Sequence, residues 1–208
     1  MRRSTERIIV SHAGTLPRPP EVMQLIQQGD AGKAELAQKL PGAVKDIVRK
    51  QVEVGVDVVN DGEIGKRGTF SSYIQERITG IEPRKFKQGE GPAPRDVNGR
   101  DLKDFPGFFG AGLGGFGRGG GQPGARFGGA SAMAPGQGER TLMFCTQPLK
   151  YVGKAGADID IANLKAAISG QDVEGWLPAI TPGTVEHWLW NDYYKSDEEF
   201  LYAIADVM

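Results

Sequence analysis

Cysteine is nearly absent: Cys145 is the single one in 208 residues, so no disulfide can form within the chain and packing alone must hold it, as in a reducing compartment. Histidine is almost as scarce, with His12 and His187 alone. A zinc site needs three or four His, Cys or carboxylate ligands at short spacing, and these three residues are scattered between positions 12 and 187, so no metal site is expected from this chain. An excess of charge is missing too. With 25 Lys+Arg against 26 Asp+Glu, no global field draws the chain to nucleic acid or to anionic lipid, and the expected partner is a small molecule. Long apolar runs are also lacking. None approaches the roughly 20 residues of a membrane span, and the start "MRRSTERIIVSHAG" has only Ile8, Val10 and the Ile9 between them in sequence, short of a signal peptide's apolar region. The expectation is a soluble, cytoplasmic protein with no nucleic acid and no membrane partner.

Glycine is what the chain has in excess. Of 31 glycines, 14 fall between positions 107 and 138, in "GFFGAGLGGFGRGGGQPGARFGGASAMAPGQG". Such a segment has too little apolar side chain to offset its ordering entropy, and it reads as a flexible loop within the domain. The alternative, an arginine-glycine tract for single-stranded nucleic acid, has only Arg118 and Arg126 to recommend it. Its "GLGGFG" imitates a dinucleotide fingerprint, but no strand precedes it.

The remainder alternates strand, polar loop and helix. Ile8-Ile9-Val10 reads as a short buried strand stopped by "SHAGTLPRPP". Pro20 suits a first helical turn, and Val22, Met23, Leu25 and Ile26 give a helix ending near Gly29. A second helix is expected over Leu40 to Glu53, with Gly55 as its stop. Val56 to Asn60 is β-branched and apolar apart from Asp57, the habit of a strand buried on both faces of a parallel sheet. Helices are expected over Thr69 to Ile78, Ile161 to Ile168 and Ser196 to Met208, and strands over Thr141 to Cys145 and Trp176 to Thr181. This order predicts an α/β fold of the (β/α)₈ TIM-barrel type. A whole barrel typically takes about 250 residues, and the last helix has no stop signal. Residues 1–208 are therefore expected to be a partial barrel holding about the first four β/α units, with 107–138 inserted.

In such a fold the loops after the strands share one mouth, so "SHAGTLPRP" and "NDGE" would face the same pocket. Asp61 and Glu63, two apart around Gly62, could project on one side, where a carboxylate holds a substrate ammonium or acts as acid or base. Equally, Asp61 could cap the turn and Glu63 be a solvated loop residue. His12 could orient a substrate or ligate a metal, or simply satisfy a backbone carbonyl. Trp188, Trp190, Tyr193 and Tyr194 around His187 read as a wall of packed aromatics.

"HAGTLPRP", "VEVGVDVVNDGEIGKRGTFSSYIQERITG", "CTQPLKYVG", "LPAITPGTVEHW" and "YYKSDEEFLYAIADVM", five blocks in order, resemble the cobalamin-independent methionine synthase family. They are most similar to its shorter single-barrel relatives, the 5-methyltetrahydropteroyltriglutamate–homocysteine methyltransferase-like proteins. The resemblance implies a (β/α)₈ barrel in which zinc turns a thiol substrate into a thiolate that attacks a methyl donor of the methyltetrahydrofolate type. It implies a loop that holds the amino-acid substrate, matching Ala13, Gly14 and Thr15, with Thr15 in place of the usual serine. It also implies a glutamate for the substrate ammonium, matching Glu63, with Asp61 in support. The family's zinc ligands, a His-x-Cys pair and a later cysteine, have no counterpart here, and Cys145 lies in a different block. The zinc of a full-length relative would thus find its ligands outside this chain. Other readings are alkyl transfer to another thiol of the epoxyalkane–coenzyme M type, a glycosidase using Asp61 and Glu63, and a non-catalytic fragment or RNA-associating chain.

Overall fold

The computed structural model describes residues 2–66, 70–87, 90–92, 103–104 and 140–208. The glycine-rich stretch 107–138 and Thr69 lie outside the described residues. Two compact units are present, one from 1–68 with 152–180, the other from 69–151 with 181–208.

In the first unit, α1 (Pro20–Gln27) starts at Pro20, whose missing N–H costs nothing in a first turn, and buries Val22 and Leu25. A 3₁₀ turn, Gly29–Gly32, leads into α2 (Lys33–Glu53). The sequence suggested a start at Leu40, beside Pro41, a residue that belongs in a first turn. The helix instead runs through Pro41, because the apolar stripe is continuous on both sides of it. Leu36 and Ala43 pack with Val22, Leu25 and Ile64, while Val44 and Val48 pack with Val59, Leu164 and Ala167. Burial of each such large aliphatic side chain contributes about 1.5–3 kcal/mol, more than the hydrogen bond that proline forfeits. The second partner of α2 is α4 (Lys154–Ile168), which contains the expected Ile161–Ile168 helix.

The strand expected over Val56 to Asn60 is present as β1 (Val58–Val59). It pairs in parallel with β4 (Glu174–Gly175) in the register Val58↔Glu174 and Val59↔Gly175. On its other side Ser11 forms a single parallel bridge to Val58. The buried strand expected at Ile8 to Val10 is not found. Ile8 is 84% and Val10 49% exposed, and the Val10 N–H goes to the Asp57 carboxylate at 2.8 Å rather than to a strand partner. Likewise Trp176 to Thr181 is not a strand: pairing stops after Trp176 N donates to Val59 O at 3.0 Å, and Pro178 has no N–H to continue it.

The second unit holds a three-stranded sheet in the order Ile78–Phe86, Arg140–Tyr151, Leu189–Asn191. The helix expected from Thr69 to Ile78 is the shorter α3 (Phe70–Gln75), since Ile78 opens β2 (Ile78–Phe86). This strand runs antiparallel to β3 (Arg140–Tyr151), much longer than the Thr141 to Cys145 expected. β3 pairs in parallel with β5 (Leu189–Asn191), which follows α5 (Pro182–Trp188). The expected aromatics do pack: Trp190 lies 6.3 Å from Phe144, and Tyr194 lies 5.0 Å from Tyr193 and 5.8 Å from Phe200, centroid to centroid. The last helix, α6 (Asp197–Val207), is capped by Ser196, whose hydroxyl accepts the Glu199 N–H at 3.1 Å.

Candidate functional site

Immediately after β1 the chain reverses. Gly62 has φ 62° and Glu63 φ 53°, and Ile64 N donates to Asp61 O at 3.3 Å. Two successive left-handed residues closed by that bond mark a type I′ turn. Gly62 is needed there twice over: for its φ, and because a Cβ would lie 3.1 Å from the Ile47 side chain. Glu63 has no such licence. A side chain in this backbone region costs about 1–2 kcal/mol, and such strain is kept where something else holds or uses it.

What holds it is a shell of polar bonds. Asp61 Oδ1 accepts the Glu63 N–H at 3.0 Å, and Asn60 Oδ1 accepts the Gly62 N–H at 2.8 Å. Asn60, fully buried, also donates from Nδ2 to His12 O at 2.5 Å. Its own main chain is clamped by buried Gln51, which donates to Asn60 O at 2.8 Å and accepts from Asn60 N at 3.2 Å. Arg18 spans the outer rim, donating to Ile64 O at 3.0 Å, Glu63 O at 3.1 Å and Lys66 O at 2.8 Å. Leu16 N donates to Gly62 O at 3.0 Å, so the loop after Ser11 is tied to the turn after β1.

The Glu63 carboxylate is the centre of this arrangement. Its side chain is 4% exposed. Oε2 accepts the Thr15 hydroxyl at 2.6 Å, while buried Oε1 has no hydrogen-bond donor among the described residues. The Lys66 ammonium, itself 9% exposed, stands 3.7 Å from Oε1 and donates to Pro178 O at 3.3 Å. A buried carboxylate oxygen one donor short is poised for a charge-assisted bond, and an ammonium supplies it. Burial pushes the Asp61 carboxyl above its ordinary pKa, with Asp160 and Glu63 adding to the rise, while the Glu63 N–H and Lys66 oppose it.

Thr15 and Glu63, 48 positions apart in sequence, are therefore brought into contact. Asp61 serves the turn through the Glu63 N–H, the capping alternative that its sequence left open. Gly14, at φ 101°, bends the loop. His12 Nε2 lies 3.0 Å from Gly14 O, the carbonyl-satisfying alternative, which requires the proton on Nε2. Ala13 is exposed and its methyl makes none of these bonds. Sequence reading missed Arg18, Gln51, Asn60 and Lys66, although Arg18 and Lys66 stand inside the quoted "LPRP" and "GKRG".

The described residues do not fit zinc. No group of three or more His, Cys, Asp or Glu among them is placed to hold a metal ion. Cys145 belongs to β3, where burial pushes its thiol up to about 11, and its Sγ donates to Gln147 O at 3.4 Å. No described helix is long and apolar enough to cross a membrane.

Neither family models nor curated protein sequences give a match to this chain. Among solved structures it is similar to a B12-independent methionine synthase from Shewanella sp. W3-18-1, solved in complex with selenomethionine. The TM-score is 0.50 at 19% sequence identity, over 95% of this chain and 45% of that one. At that identity the likeness is one of fold. The chain spans less than half the length of that structure.

Proposed function

We propose that this chain carries the amino-acid-binding loops of an enzyme that methylates a thiol amino acid, homocysteine to methionine, from a methyltetrahydrofolate-type donor. The proposal includes a (β/α)₈ barrel, of which these residues supply about four β/α units. The observation that carries it is Glu63 Oε1, buried after β1 without a hydrogen-bond donor among the described residues, beside an Oε2 already fixed by Thr15. Glu63 binds the substrate ammonium there, Thr15 holds the Glu63 carboxylate in position, and Asp61, Asn60 and Arg18 keep the turn in its strained form. The fold neighbour's own ligand, selenomethionine, is an α-amino acid bearing such an ammonium. The attacking sulfur must be a thiolate. Zinc, which the sequence resemblance implies for that task, has no ligand set among the described residues, so its activation is assigned to no residue here.

Calorimetric titration of L-homocysteine and of 2-mercaptoethanesulfonate into the unmodified chain and Glu63→Gln tests this reading. A hydrogen bond between charged groups is worth about 1.5–3 kcal/mol, so homocysteine should bind roughly 10- to 150-fold more weakly to the variant. The sulfonate, which has no ammonium, should be unaffected. Equal losses for both, or none, would remove the ammonium from the site and leave alkyl transfer to another thiol as the better reading.

A further inference from the structure

Among the described residues of the first unit, two buried side-chain polar atoms lack a hydrogen-bond partner: Glu63 Oε1 and Trp176 Nε1. They are of opposite kind. The carboxylate oxygen can only accept, and the indole N–H can only donate. Their residues follow the adjacent paired strands β1 and β4: Trp176 stands one position beyond the last paired residue, its own N–H donating to Val59 O at 3.0 Å. The two segments are bridged by Lys66, whose ammonium lies 3.7 Å from Glu63 Oε1 and 3.3 Å from the carbonyl of Pro178, two residues past Trp176. An N–H without an acceptor on the β4 side, a carboxylate oxygen without a hydrogen-bond donor on the β1 side, and the Lys66 ammonium of the β1 loop between them together match a ligand that carries an ammonium and a carboxylate on one carbon.

We infer that Trp176 is the carboxylate-reading residue of the same site, so that Trp176 Nε1 and Glu63 Oε1 together select the paired ammonium and carboxylate of an α-amino acid. This rests on the reading of Glu63 as the ammonium partner and adds the other end of the ligand. Burying an indole N–H without a partner costs stability, and a ligand carboxylate removes that cost on binding. Lys66, whose ammonium reaches Pro178 O at 3.3 Å, makes the local potential favourable to that carboxylate.

Three probes separate the ends: L-methionine, L-methioninamide, which keeps the ammonium but has no carboxylate, and 4-(methylthio)butanoate, which keeps the carboxylate alone. Trp176→Phe should weaken L-methionine by about tenfold or more and leave L-methioninamide unchanged. Glu63→Gln should weaken both amine-bearing probes and spare the butanoate. Loss of both L-methionine and L-methioninamide by Trp176→Phe, or of neither, overturns the role of Trp176 while the Glu63 response still stands. An unmodified chain that binds no amine-bearing probe overturns the Glu63 reading and this one with it. Should Trp176→Phe not fold, the ¹⁵N-indole signal of Trp176 in the unmodified chain decides: a downfield shift with L-methionine but not with L-methioninamide supports the inference, and a shift with both or with neither overturns it.

Discussion

Carboxylates stand at both ends of β1, and the two ends treat them in opposite ways. At the start of the strand, Asp57 accepts from the Arg7 guanidinium and from Val10 N at 2.8 Å, with Arg2 at 4.0 Å. These partners, Arg7's hydrogen bonds first, bring its pKa down to about 2. At the far end burial pushes Asp61 up, and Glu63 Oε1 accepts no hydrogen bond among the described residues, with the Lys66 ammonium 3.7 Å away. A carboxylate satisfied by its own chain is part of the structure; one left a donor short is available to a ligand. The shape of the surface would mislead on this point. A hollow of about 260 Å³ lies at the satisfied end, lined by Arg2, Arg3, Thr5, Glu6, Arg7 and Ile9, but Arg2 and Arg7 are engaged there by Asp172 and Asp57.

The largest expected effect contrasts what holds each end. Asn60→Ala strands the half-buried His12 carbonyl and the buried Gly62 N–H, each at about 1–3 kcal/mol, so urea unfolding should show a loss of about 2–6 kcal/mol. Arg7→Ala at the other end removes a pair whose cation is 62% exposed, where solvent and salt screen the interaction, and should cost far less. An Arg7→Ala loss equal to that of Asn60→Ala would break the contrast.

Next comes the turn itself. Gly62→Ala must adopt φ 62° and crowd Ile47 and Leu16, for which about 1–3 kcal/mol is expected. The same substitution at Gly55, at φ 86° but with open space around it, should cost only the backbone part. If the two unfold alike, the close packing of Gly62 against Ile47 and Leu16 contributes nothing to holding the turn.

How much of this was legible follows from range. Local chemistry could be read directly: the Ser196 cap, Pro20 opening α1, and a carboxylate turn after a β-branched run. The Thr15–Glu63 contact was reachable only by supposing that both loops leave the same end of a sheet. What could not be read was decided by distant partners. Ile8 to Val10 has the composition of a strand, yet the Asp57 carboxylate takes the Val10 N–H. Gln147, Pro148 and Lys150 obscure the alternation of β3, although the strand continues to Tyr151 against Ile78. Lys66 looks like a solvated loop lysine until Glu63 and Pro178 are seen on either side of it. Trp176, expected as the first residue of a strand, proves to follow one, with a buried N–H that no pattern in the sequence announces.

The smallest expected effect is on acid stability, and it sets the two ends against each other. Asp61 has its folded pKa above the ordinary 3.8, so between 3.8 and its raised value the folded state binds more protons than the unfolded one, and stability falls as pH rises. Asp57, held near 2, does the reverse: between about 2 and 3.8 the unfolded state binds more protons, and stability is lost as pH falls through that window. On acidification from neutral pH the Asp61 contribution therefore improves stability first, and the Asp57 contribution then removes it. Chemical unfolding at a series of pH values, read as each variant minus the unmodified chain, isolates both limbs from the other carboxylates. Asp61→Asn should flatten only the limb above 3.8, and Asp57→Asn only the limb below it. If both variants changed the same limb, or Asp61→Asn left the upper limb intact, the two carboxylates would share one environment and the distinction between a satisfied end and an unsatisfied end of β1 would be lost.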